Sequence, residues 1–144
     1  MENEDLRLVY TLLCDDVRVE MGNKISLMGI FQNIMVEQLP VSLIKFAVIN
    51  HWQGEGQHQT EVRILSPDKN SLVVTSQPTA IELAAGGFTD NVSFFVNVVF
   101  ATAGTYWIQT IADAKLLEEV PLIVTDTANM TALQSAEEIT ETIN

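Results

Sequence analysis

The two histidines of this chain, His51 and His58, are the side chains best suited to hold a transition metal or to move a proton near neutral pH. They flank a Gly-Glu-Gly segment at residues 54–56, which we predict to be a hairpin loop. The register of that hairpin pairs Trp52 with His58 and places His51 on the opposite face of the sheet. Two imidazoles on opposite faces cannot bind one ion, so the sequence predicts no histidine-based zinc site.

Aspartates at the predicted strand ends are the second candidate for chemistry, because loops could gather their carboxylates around calcium. They are Asp15, Asp16, Asp90, Asp113 and Asp126. The chain contains no contiguous calcium loop of the D-x-[DN]-x-[DN]-G type. We therefore interpret these residues as solvated loop acids and predict no bound metal, while a metal-assisted enzyme with an acidic loop site stays one alternative function.

The only cysteine, Cys14, is the candidate thiol nucleophile. It alternates with Leu12 and Tyr10 on the expected core face of the first strand, where cysteine acts as an inert small hydrophobe. The sequence has no G-x-S-x-G elbow, P-loop or dinucleotide fingerprint, and the AAGGF segment at residues 84–88 lacks the helix and lysine of a phosphate cradle. We predict no catalytic residue, no cofactor and no enzyme activity.

A surface on one predicted hairpin is the remaining functional candidate. Residues 92–101 and 105–113 form its strands, and adjacent strand residues point to opposite faces, so Tyr106 faces the core and Trp107 faces outward. The predicted partner- or ligand-binding residues on the outward face are Phe95, Asn97, Val99, Trp107, Gln109 and Ile111. Such a patch is typical of an interface, a ligand platform or a face covered by another segment, unless the hairpin is central and packed on both sides.

Period-two alternation of apolar and polar residues between turn signals dominates the chain up to residue 126. It predicts strands at residues 6–16, 24–37, 42–53, 71–76, 80–85 and 116–126, besides the two hairpins. This pattern favours an all-β class and an antiparallel β-sandwich, immunoglobulin-like or jelly-roll-like, over residues 1–126.

Residues 127–144 differ in composition and form an acidic tail. Met130, Leu133 and Ala136, followed by Thr140 and Ile143, make a weak helical stripe, while the acidic, terminal position is typical of disorder. We predict a helical or disordered tail. Its apolar stripe or a second subunit is expected to cover the outward face of Trp107.

The charge balance limits the choice of partners. The chain has 7 Lys and Arg against 19 Asp and Glu, a formal net charge of −12. Nucleic acids and anionic membranes both attract cationic proteins, so we expect neither as a partner. The acidic start lacks signal-peptide features, no apolar run is long enough to span a bilayer, and one cysteine excludes an internal disulfide. We expect a cytoplasmic protein.

Three segments resemble a family of short bacterial proteins described only as a domain of unknown function. They are LLCDDVRVEMGNKISLMGIF at residues 12–31, LPVSLIKFAV at 39–48 and AGTYWIQTIADAKLLEEVPLIV at 103–124. The resemblance extends from Leu6 to about Thr125. It implies a β-sandwich and a bacterial or phage origin, and it carries no known activity or catalytic residues. Asp113-Ala114-Lys115 stands where the family has a glycine-containing turn.

The Gly104-x-Tyr106 spacing separately resembles the tyrosine corner of immunoglobulin-like sandwiches, in which the tyrosine hydroxyl bonds to nearby backbone. For function, we predict a non-catalytic binding or assembly module that self-associates or docks a protein partner. A small-ligand or carbohydrate-binding β-sandwich, using Trp107 with Asn97 and Gln109, is the second alternative.

Overall fold

The computed structural model describes residues 5–127, and its regular elements there are all strands. The strands are β1 (Leu6–Glu20), β2 (Lys24–Phe31), β3 (Asn33–Val36), β4 (Val41–Leu65), β5 (Leu72–Thr75), β6 (Thr79–Phe100), β7 (Gly104–Ala112) and β8 (Lys115–Asp126). The all-β prediction is confirmed. The predicted tail lies outside the described residues, apart from Thr127. Within residues 5–127, no helix has the length and apolarity to cross a membrane.

The strands form one strongly curled mixed sheet. Its order is β2-β1-β4-β7-β8-β3, and β5 and β6 also pair with β4. The predicted antiparallel arrangement is found in every pair of the described strands except β3 with β8, which run parallel. The immunoglobulin-like or jelly-roll-like sandwich stays a prediction.

Strand β4 organises the sheet, and it overturns the hairpin predicted at residues 54–56. β6 follows one edge of β4 from Thr60 back to Val41. On the other edge, β1 pairs with the first half of β4 and β7 pairs with the second half. The predicted loop is therefore wrong, and Trp52 and His58 are not cross-strand partners.

The two glycines of β4 lie at a register shift against β6, and the strand continues through them without reversing. Gly56 has a φ of +88°, a conformation that glycine adopts without steric cost. A Cβ atom at Gly54 would lie 1.9 Å from the Asp5 carbonyl oxygen, so only glycine permits this close approach. Glycines that suggest a hairpin loop in the sequence therefore lie within a continuous strand, whose course depends on pairing with distant segments.

The hairpin predicted between residues 92–101 and 105–113 is also wrong. β6 and β7 are not paired with each other in the described sheet, because each pairs with a different stretch of β4. Phe100 and Tyr106, the residues expected to face each other, still pack edge to face with ring centroids 4.9 Å apart. Their contact forms through the core and not through a shared hairpin.

The buried apolar side chains form one main cluster and two smaller ones. Both halves of β4 contribute to the main cluster, which also holds Phe95, Phe100, Tyr106, Leu122 and Val124. Burial of such side chains stabilises a fold by about 1.5–3 kcal/mol each. The interior also contains the buried Asn50, whose side-chain amide donates hydrogen bonds to the hydroxyls of Thr11 and Thr110, both at 3.0 Å.

Candidate functional site

The residues predicted for the outward stripe do not share one surface. Phe95 and Ile111 belong to the interior, with exposures of only 3% and 5%. Asn97 and Val99 are exposed on β6, whereas Trp107 and Gln109 are half-buried on β7, which β6 does not pair with. The carbohydrate platform predicted from Trp107, Asn97 and Gln109 therefore lacks the shared hairpin on which it rested.

Local backbone conformation explains why alternation failed on β6. Asn97 has a φ of +52°, a left-handed conformation that interrupts the pleat of the strand. Phe95 and Val98 point inward on either side of it, and the two residues between them, Val96 and Asn97, are both exposed. Period-two reasoning across residues 94–100 thus assigns the wrong face to part of the strand.

The outward face of Trp107 has a cover within the chain. Lys69, in the connection between β4 and β5, places its Nζ 4.7 Å from the centroid of the Trp107 ring. The same ammonium contacts Glu119 at 2.7 Å, and Glu119 accepts a 2.8 Å hydrogen bond from Gln109. The hydrogen bonds from Gln109 and Lys69 lower the pKa of Glu119. Trp107 is therefore part of an intramolecular network.

The two histidines each contact a separate aspartate. His51 Nδ1 lies 2.6 Å from Asp90, and its ring stacks between those of Tyr10 and Phe88. His58 lies further along β4 and contacts Asp113. Among residues 5–127, no three His, Cys, Asp or Glu side chains are grouped so that they could hold a metal ion.

His58 and Asp113 form a charged pair that sequence reasoning missed. The Asp113 carboxylate lies 2.7 Å from His58 Nδ1 and also accepts the Gln59 N–H, while His58 Nε2 lies 2.8 Å from the Glu55 carbonyl. Burial is the largest single influence on His58 and opposes its charge, but the hydrogen bonds to Asp113 and the Glu55 carbonyl, with the nearby carboxylates, together raise the pKa of the imidazole. Burial is likewise the largest single influence on Asp113 and opposes its ionisation, yet the His58 contact and the Gln59 N–H together lower the pKa of that carboxyl. The pair joins β4 to the turn between β7 and β8.

Cys14 is fully buried, as predicted, in a small cluster with Ala47 and Ile49. Burial raises the pKa of its thiol, which weakens it as a nucleophile. Its predicted neighbours on the core face fit less well, because a register shift between Leu8 and Tyr10 leaves Tyr10 exposed.

A groove of about 570 Å³ opens between β2, β3 and the start of β4. Buried Ile34 and Phe46 belong to both its lining and the main core. Three exposed apolar side chains also line it: Ile30, Met35 and Ile44, with 56%, 54% and 79% of their surface accessible. Its size is within the range of pockets that bind ligands.

One wall of this groove is an open strand edge. β1 pairs with β4 no further than Ala47, so residues 41–46 have no strand partner on that side within the described sheet. At this edge Lys45 forms a 3.0 Å ion pair with Asp16 of β1, and the Lys45 hydrogen bond lowers the pKa of Asp16. Alternate N–H and C=O groups along an unpaired edge are available to an added strand.

Sequence reasoning missed this groove, because the feature that marks it is seen in side-chain exposure and not in residue types. Ile44 and Lys45 are consecutive exposed residues between Leu43 and Phe46, a break in the alternation of a strand that is otherwise largely buried. This break in alternation coincides with the part of β4 that does not pair with β1.

These features define a small all-β domain with an apolar groove beside a free strand edge. The chain belongs to the family of unknown function DUF6941, whose sequence profile matches residues 9–125. The predicted resemblance to an uncharacterised family is confirmed. No curated protein sequence matches the chain.

Among solved structures, the chain is similar to an alkylpurine DNA glycosylase, AlkC of Pseudomonas fluorescens, bound to DNA containing an abasic site analogue. The TM-score is 0.54 at 6% identity, covering 84% of this chain and 30% of that one. DesR, a β-glucosidase of Streptomyces venezuelae in complex with D-glucose, gives 0.42 at 15% identity, covering 60% and 14% of the two chains. A β-glucosidase of Listeria innocua with gluconolactone gives 0.41 at 7%, covering 81% and 16%. This chain spans less than a third of each of these proteins, and the likeness to AlkC is one of fold alone.

Proposed function

We propose that this chain is a non-catalytic binding module that docks an extended segment of a protein partner beside β4. The observation that carries the proposal is the unpaired edge of residues 41–46 within an apolar groove. Extended peptides add to such edges through main-chain hydrogen bonds, and their alternate side chains enter adjoining pockets.

The groove suggests the chemistry of the partner segment. Ile30, Met35 and Ile44 offer apolar contacts to side chains of an added strand, which repeat on one face every second residue. The net charge of −12 and the presence of Asp15 in the groove lining favour a neutral or basic segment over an acidic one. The proposal places the module in the cytoplasm, where a lone reduced cysteine such as Cys14 is common.

A peptide selection tests this proposal. The full chain is used to select binders from a random twelve-residue phage library, and the enriched peptides are synthesised and titrated by fluorescence polarisation. We expect peptides with apolar residues at alternate positions. The backbone N–H groups of an added strand point alternately toward β4 and away from it. Methylation of the nitrogens that face β4 should therefore abolish binding, and methylation of the other set should leave it unchanged.

Two substitutions supply the matched comparison. Ile44→Asp places a charge in the groove, whereas Val19→Asp changes an equally exposed side chain, also 79% accessible, on β1 outside the groove. We expect Ile44→Asp to weaken peptide binding at least about tenfold and Val19→Asp to leave it unchanged. Equal effects of the two substitutions, or the absence of any enriched peptide, contradict the proposal.

Sedimentation equilibrium on the same full chain distinguishes partner docking from self-association. A monomer that binds peptides supports the proposal. A dimer that Ile44→Asp dissociates identifies a second copy as the occupant and overturns the assignment of a foreign segment.

A further inference from the structure

Asp15 occupies a core-facing position of β1 at the point where the core opens into the groove. Leu13, two residues earlier on the same face of the strand, is buried in the main core. Asp15 is exposed and lines the groove instead. The alternation of β1 thus places a carboxylate where the next core side chain would otherwise stand.

The neighbouring strand leaves room for this carboxylate. Asp15 lies across from Gly29 of β2, next to the cross-strand pair of Cys14 with Ile30. A Cβ atom at Gly29 would collide with the Asp15 carboxylate, and the φ of +71° at this residue also favours glycine. Glycine on β2 therefore allows the Asp15 side chain to keep its place at the groove wall.

In the described part of the chain, Asp15 has no cationic partner. Lys45 is the one Lys or Arg among the described residues of the groove lining, and its ammonium pairs with Asp16 at 3.0 Å. No side-chain hydrogen bond joins Asp15 to another described residue. The groove therefore presents one unneutralised carboxylate beside the apolar side chains of Ile30 and Ile44.

We propose that Asp15 determines the specificity of the groove by binding a basic side chain, arginine or lysine, of the docked partner segment. The inference rests on the proposed function for the docking itself. Ile30 and Ile44 line the same groove and can contact the aliphatic stem of such a side chain, while its charged group donates to the carboxylate. The net charge of −12 further favours the approach of a basic segment over an acidic one.

A double-mutant cycle measured by fluorescence polarisation tests the contact in the full chain. The probe is a synthesised peptide from the phage selection, and each of its basic residues is replaced in turn by glutamine. At one position, this replacement should weaken binding by about fivefold to twentyfold, and Asp15→Asn should weaken the parent peptide to the same extent. The two changes together should cost little more than either alone. Glu82→Gln removes one charge from an exposed position on β6 outside the groove and should change binding by less than about twofold.

The sequences of the enriched peptides supply a second measurement that needs no variant of the protein. We expect a basic residue at a fixed offset from the alternating apolar positions. If peptides bind in an Ile44-dependent way without such a residue, or if Asp15→Asn weakens the parent and glutamine peptides equally, the role of Asp15 is wrong and the proposed function stands. If no peptide is enriched, the proposed function and this inference are both wrong.

Discussion

The Tyr106 hydroxyl donates a 2.8 Å hydrogen bond to the carbonyl of Thr102, four residues earlier. The Thr102 N–H lies 3.4 Å from the Tyr106 hydroxyl oxygen, and the buried Tyr106 ring packs against Phe100. This contact ties the connection between β6 and β7 to the core. The predicted tyrosine corner is confirmed, although the strands that it joins are not partners in a hairpin.

Tyr106→Phe should therefore destabilise the fold by about 1 kcal/mol, because it removes the hydroxyl and leaves the shape of the core intact. Urea unfolding should give a lower midpoint at an unchanged slope. Tyr10→Phe, at an exposed position, is the control and should change the free energy of unfolding by less than about 0.5 kcal/mol. Equal stability of Tyr106→Phe and the unsubstituted chain contradicts a stabilising corner.

The His58–Asp113 pair predicts a pH-dependent stability. The folded pKa of His58 is raised above 6.5, so its contribution is complete below that pH and is lost as pH rises through the folded value. The folded pKa of Asp113 is lowered from 3.8, so its contribution is present above that pH and is lost as pH falls through the folded value. Both groups contribute fully only between these limits.

We expect Asp113→Asn to cost more stability at pH 5.5 than at pH 8.5, measured by urea unfolding at both values. Asparagine also tolerates the φ of +50° at this position, so backbone strain does not confound the comparison. Asp68→Asn is the control, because the Asp68 carboxylate accepts hydrogen bonds from Ser66 and Asn70 and not from a histidine. A cost of Asp113→Asn that is independent of pH would falsify the charged pair.

The turn between β7 and β8 should become more stable with glycine at Ala114. Ala112 pairs with Lys115, and both turn residues have positive φ, +50° at Asp113 and +66° at Ala114. Alanine is strained there by about 1–2 kcal/mol, whereas glycine is not, but glycine adds entropy to the unfolded chain. We expect Ala114→Gly to gain about 0.5–1 kcal/mol in thermal or urea unfolding. Ala80→Gly, within β6, should lose stability, and a loss at Ala114 contradicts the strain.

Trp107→Asp should weaken the fold and not an assembly. The ring lies under Lys69, whose ammonium also contacts Glu119, so the substitution removes a cation–π contact and buried apolar surface. We expect a loss of about 1–3 kcal/mol in unfolding with no change in solution mass. Val96→Asp, at an exposed position on β6, should cost less than about 0.5 kcal/mol. Unchanged stability together with a lower mass of Trp107→Asp supports the self-association predicted from sequence.

Local sequence rules predicted extended chain over most of the strands, but not their boundaries or partners. β4 and β6 were each predicted as two strands, and β2 with β3 as one. Alternation placed Tyr106 inward and Trp107 toward the other face, and both assignments hold. The same rules cannot distinguish a turn from an irregularity within a strand at Gly54 and Gly56, because glycine suits both. The pairing of β6 with β4 on both sides of these glycines excludes the hairpin, and that pairing joins residues distant in sequence.

The candidate site was hidden for the same reason. The groove exists because β1 separates from β4 after Cys14 and Ala47, which only the pairing of whole strands determines. The His58–Asp113 pair likewise depends on β7 returning to β4, as Thr60 pairs with Ala112. A pattern of residue types along one strand does not show where a neighbouring strand stops pairing with it or where a distant strand begins to pair.

The length of β4 has a consequence for synthesis of the chain. Its first half pairs with β1 and its second half with β7, which ends only at Ala112, and β6 pairs with residues of both halves. When the chain has left the ribosome up to Leu65, β4 is complete, but its partners β5, β6 and β7 have not yet emerged. We expect folding to be slow and largely post-translational, since pairing between distant segments retards folding. During that interval the nascent β4, with its run of apolar residues from 46 to 49, is the segment that a chaperone has most reason to shield.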